Sequence, residues 1–172
     1  MTTTHTVDRA QLAVAVHEAA HAVAGFVHGR EIERVRLIDG DPEHAGACEF
    51  GHHPGGVPPV AVYAGTAAEL RFSLGRRPTA HDVSARLAVH RDDRAMVASA
   101  GPYDLDHARG LVDRTWPAIC ELAAQLYGFA EVGPGDVLRA LRVPSGARAD
   151  ACLADLRAGR RELAAREAHR MS

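Results

Sequence analysis

From residue 12 to residue 27 the chain is apolar at nearly every position, and only His17, Glu18 and His21 interrupt the run. That pattern predicts a helix over residues 8–28, ended by Gly29. It is too apolar to lie solvated on a surface and belongs at the centre of the fold. The period then changes. Residues 34–38 read as a strand, Asp39-Gly40-Asp41-Pro42 as a turn, and residues 47–50 as a short return strand. A loop over 51–59 leads to helical patterns over 60–74, 80–98, 105–114, 117–127 and 136–141, with Trp116 and Leu122 expected in the core. Val143-Pro144-Ser145-Gly146 reads as a hinge, followed by an arginine-rich amphipathic helix running toward Ser172. The expected fold is mainly α with a small β element, with a domain over 1–142 and a helical extension over 143–172.

The three polar residues inside the first helix spell His17-Glu18-Ala19-Ala20-His21, an HExxH motif. An α-helix advances 3.6 residues per turn, so histidines four apart point the same way and can reach one metal ion. Glu18 stands about 100° further round, where it can hold a water without occupying a coordination position. The small residues Ala19, Ala20, Ala22, Ala24 and Gly25 leave room for another backbone to approach the motif. HExxH fixes only three positions, and the same letters also occur on ordinary amphipathic helices.

A catalytic zinc normally takes three protein ligands and keeps a fourth position open. His28 matches the angle of the motif histidines but lies seven residues beyond His21, about 10 Å along a straight helix, so it would ligate only if the helix broke at Gly25. The metzincin spacing places that glycine and histidine one residue earlier. Glu69 could act as a gluzincin-type ligand, or be a solvent-facing or structural carboxylate. Asp82 offers a carboxylate from the start of another helix, yet Thr79 three residues before it also suits a capping box. His52 and His53 fall in the glycine-proline loop and are expected to be solvated.

The stretches VHEAAHAVAG, ERVRLIDG, AGTAAEL and TAHDVSARLA, in this order over residues 10 to about 98, resemble the protease domain of the FtsH family of ATP-dependent zinc metalloproteases. That family carries HEAGH, a short strand, a G-x-x-A-E-E segment and an S-N-D segment whose aspartate is the third zinc ligand. The resemblance implies a zincin-like fold with zinc on His17, His21 and Asp82, and Glu18 as general base. It also implies that an edge strand, here residues 34–38, pairs with an extended substrate backbone. There are departures. Ala20 replaces a glycine, Leu70 replaces the second glutamate, and His81 stands where the asparagine would be, placing two potential ligands side by side. The spacing to Asp82 is also compressed.

Composition narrows the remaining classes. All 20 basic residues are arginine, so no phosphate-loop lysine exists in this sequence and an ATPase would have to be a separate partner. The formal net charge of −2 gives no general attraction to nucleic acid. Cys48, Cys120 and Cys152 are odd in number and lack paired spacing, as expected for reduced thiols. No targeting or membrane segment stands out, so the expected setting is cytoplasmic, without membrane insertion. The expected activity is zinc-dependent hydrolysis of extended or unfolded polypeptides, by the chain alone, as a homo-oligomer or with a separate ATPase. The alternatives are a catalytically silent or regulatory peptide-binding module on the same fold, and a small-molecule metallohydrolase.

Overall fold

A computed structural model of the chain describes residues 7–38, 45–88, 94, 96–98, 100–144 and 146–164. Its centre is helix α1, Arg9–Val27. Asp8 starts it by accepting hydrogen bonds from the amides of Ala10 (2.9 Å) and Gln11 (3.2 Å), two of the donors that a first turn leaves unsatisfied. The helix ends at His28, before Gly29 takes a φ of 77°. Ala15, Ala19, Ala20, Ala22 and Val23 are fully buried. By length and mean hydropathy (1.2) α1 would also suit a membrane span, but here it is wrapped by the rest of the chain.

A three-stranded antiparallel sheet of order β2-β1-β3 packs against it, formed by β1 (Ile32–Leu37), β2 (Gly46–Phe50) and β3 (Glu131–Val132). A register shift between Ile32 and Arg34 leaves Glu33 as the extra residue. It breaks the strict alternation, so Ile32, Val35 and Leu37 can all be buried. The expected turn at 39–42 lies outside the described residues. The expected substrate-pairing edge at 34–38 is corrected: β1 is the central strand, with β2 on one side and β3 on the other. β3 has only two residues, too few for a period to show in the sequence.

Helix α2 (Pro59–Leu74) begins with proline at its first position, where the missing N–H costs nothing, and packs along α1. Helix α3 (Ala80–Leu87) rests on α2 through buried Val83. The sequence pattern carried that helix to residue 98, but α3 closes at Ala88, and residues 89–93 lie outside the described residues. The two helices expected over 105–114 and 117–127 are one, α4 (Pro102–Phe129). Pro117 removes an amide from its interior. However, Leu105, Ala108, Leu111, Val112, Ala118, Ile119, Leu122 and Leu126 form one unbroken buried stripe against α1 and α2. Tertiary burial outweighs the local cost of about 3 kcal/mol.

Helix α5 (Pro134–Ala140) packs on α4, while α6 (Ala149–Arg157) follows a 3-10 turn and seats Cys152 and Leu156 against the core. The C-terminal helix therefore ends well short of its expected reach, and residues 165–172 lie outside the described residues. Leu163 returns to the core, its amide donating to the Arg114 carbonyl at 2.9 Å. Leu122 is fully buried as expected, while Trp116 is half-buried beneath the Arg71 guanidinium, 4.6 Å from its ring centre. Leu122→Ala should cost about 2–5 kcal/mol of unfolding free energy, read by urea denaturation, because the close-packed helices cannot collapse onto the cavity.

Candidate metal centre

His17 and His21 project from the same face of α1 toward α2, and their Nε2 atoms stand 2.8 Å apart. Each ring is held from behind. Nδ1–H of His21 donates to the Ala61 carbonyl oxygen at 2.9 Å, and Nδ1–H of His17 donates to Glu69 Oε2 at 3.0 Å. A carbonyl oxygen and an ionised carboxylate only accept, which assigns the Nδ1–H tautomer to both rings. The two Nε2 lone pairs then face one another. At 2.8 Å that arrangement requires a proton or a metal cation between them.

The third wall of this space is a glycine. A Cβ on Gly65 would stand 2.6 Å from His21 Nε2 and 2.9 Å from His17 Nε2, so any larger residue would fill the space in front of both nitrogens. Zinc sits about 2.0–2.1 Å from imidazole nitrogen, and two such nitrogens on a tetrahedral ion stand about 3.3 Å apart. A small ring rotation meets that distance. The tautomers, the carboxylate and carbonyl behind the rings, and the open cradle at Gly65 all fit a divalent cation on this pair.

Glu18 is 8% exposed and lies on the sheet side of α1. A Cβ on Gly46, the first residue of β2, would stand 2.6 Å from Glu18 Cγ and 3.0 Å from Oε1, so the strand begins directly over this carboxylate. Four residues on, Phe50 lies over Gly25. β2 thus runs beside α1 along the motif, and among the described residues no strand pairs with its outer edge.

The other sequence candidates fall elsewhere. His28 caps the far end of α1, where its ring meets that of His107 at 5.3 Å; burial, aided by His107, lowers its pKa to about 4. His81 is exposed at the start of α3, and His52 and His53 are exposed in their loop. Asp82 forms the capping box: Oδ2 accepts from the Thr79 amide at 2.8 Å and from Arg76 at 3.0 Å, and these contacts hold its carboxyl at about 2. Among the described residues, no three His, Cys, Asp or Glu side chains gather closely enough to hold a metal ion. The three cysteines are free thiols.

Glu69 is the residue whose role the sequence left open. Its side chain is 13% exposed, so it is structural and not solvent-facing, and it orients His17 from behind. The signal lay in register. Ala61, Gly65 and Glu69 recur every four residues, so one stripe of α2 supplies the carbonyl, the space and the carboxylate that the histidine pair uses. No protein-family model matches the chain, and no curated protein matches it significantly in sequence.

Burial raises the Glu69 pKa, but the hydrogen bonds and charges of His17 and Arg86 overcome it and hold the carboxyl at about 2, below its usual 4.5. A depressed carboxyl stabilises the fold above its unfolded pKa and loses that contribution as pH falls through the folded value. The melting temperature of metal-free wild type should therefore exceed that of Glu69→Gln near pH 6. The gap should narrow between about pH 4.5 and about pH 2; a gap constant across that range would exclude the ionised pair.

Proposed function

We propose that the chain is a zincin-like zinc metallopeptidase, similar to the FtsH protease domain, acting on extended or unfolded polypeptide. The observation that carries this reading is the convergence of His17 and His21 Nε2 at 2.8 Å, with both Nδ1 atoms committed to acceptors and Gly65 leaving space in front. His17 and His21 would hold the zinc, which when bound supplies a Lewis acid that acidifies water and supports charge on the scissile carbonyl oxygen. Glu18 accepts the proton of the attacking water and delivers it to the departing amine.

The substrate backbone is assigned to the open edge of β2, replacing the central strand β1 in that role. β2 starts over Glu18, so a peptide added to that edge passes the general base with its carbonyls aligned. Asp82 enters as the third ligand only through the resemblance. It lies on α3, the helix whose Arg86 holds Glu69, and must leave its cap to reach the pair.

Unstructured casein should be cleaved by the zinc-loaded protein and left intact in the presence of a chelator. Cleavage of small esters or amides alone would favour the metallohydrolase, and casein binding without turnover the silent module. Glu18→Gln should keep zinc and fold while lowering turnover at least about 100-fold. His17→Ala and His21→Ala should purify with little zinc. Wild-type cleavage by Glu18→Gln, or full zinc in both histidine variants, would refute the mechanism.

Asp82→Asn separates ligation from capping, because asparagine still caps a helix. Ligation predicts a strong loss of zinc affinity with little change in the melting temperature of the metal-free protein. Unchanged zinc affinity would assign Asp82 to the cap alone.

A further inference from the structure

We propose that Arg86 is a positioning residue for the histidine pair, acting through its ion pair with Glu69 to set how firmly the site holds a divalent cation. This rests on the reading of His17 and His21 as ligands. Arg86 Nη2 donates to Glu69 Oε1 at 2.6 Å, and the other oxygen, Oε2, accepts from His17 Nδ1 at 3.0 Å. The two oxygens of one carboxylate are thus pinned by groups from two different helices, which fixes the rotation of the carboxylate plane and, with it, the plane of the His17 imidazole.

The chain of contacts crosses the molecule from outside inward. Arg86 is 43% exposed, whereas Glu69 and His17 are 13% and 12% exposed, so the solvent-facing guanidinium anchors a nearly buried carboxylate. An exposed ion pair contributes little to folding. Here the pair's consequence lies in geometry, since a ligand ring released by a few tenths of an ångström loses its alignment with the ion. Outer partners of metal-binding histidines typically affect affinity by about 10–100-fold. The arginine is one turn beyond Asp82 on α3, and its guanidinium is the contact of that helix with the Glu69 carboxylate.

The test is zinc affinity of the full chain by competition with a chromophoric chelator, together with the visible absorption of the cobalt-loaded protein. Arg86→Ala should bind zinc about tenfold more weakly and show an altered cobalt spectrum, and Arg86→Lys should recover part of both. Val83→Ala is the control, because it loosens the buried anchor of α3 without touching Glu69. Its affinity should stay near wild type. Arg86→Gln, which keeps a polar side chain but neither the charge nor the reach of the guanidinium, gives the same reading should the alanine variant not fold. Wild-type affinity and spectrum in the Arg86 variants would overturn the role of Arg86 and leave the metal reading standing. Equal losses in Val83→Ala and Arg86→Ala would also overturn it, since the effect would then be general docking of α3. A wild-type chain that takes up neither zinc nor cobalt would overturn both this proposal and the metal reading beneath it.

Discussion

The close approach of α1 and α2 is the constraint from which the rest of the site follows. Ala20 and Ala24 on one helix, and Ala61, Ala64, Gly65 and Ala68 on the other, are buried. Side chains this small let two backbones come near enough for a main-chain carbonyl of α2 to reach a histidine ring of α1. Larger apolar residues would bury more surface per position, at about 25 cal/mol for each Å², but would hold the helices further apart. The Ala61 carbonyl would then lie out of reach of His21. Burial is recovered elsewhere, in the leucine-rich stripe of α4 that closes over both helices.

That division of labour explains how polar groups survive in an apolar centre. Glu18 and both histidines occupy a helix whose other buried residues are Ala, Val and Gly. A buried carboxylate or imidazole without a partner is costly, and here the partners come in fixed directions. His17 has a carboxylate, His21 has a carbonyl, and each has the other ring in front. Such fixed partners make the pair responsive to a cation, because the facing nitrogens gain most from a positive charge between them.

The sequence made legible what depends on local period and local chemistry. The run of residues 12–27 announced a buried helix, HExxH placed two rings on one face, and the AGTAAEL stretch lay where a small-residue helix was needed. What was hidden depended on tertiary partners. Pro117 reads locally as a break, and only the continuous buried stripe on both sides of it explains a single α4. The resemblance made residues 34–38 an edge strand, and the central position of β1 follows from β3, a dipeptide that no periodicity can detect. Asp82 carried two sequence roles at once, and the contacts of its carboxylate with Thr79 and Arg76 are those of the cap. Glu69 looked ambiguous because a lone carboxylate on an alanine-rich helix reveals its purpose only once the ring it faces is known.

Two glycines, each against a different residue of the HExxH motif, tie these threads together. Gly65 brings the α2 backbone against the histidine nitrogens, and Gly46 brings the β2 backbone against Glu18. At both places a single added methyl would collide with a motif side chain, which makes each position more restrictive than ordinary core sites that tolerate conservative exchange. The shape of the site is therefore written mainly in backbone. Two main-chain segments, one helical and one extended, press on the motif, the first at its histidines and the second at Glu18. Among the described residues, the outer edge of β2 has no strand partner.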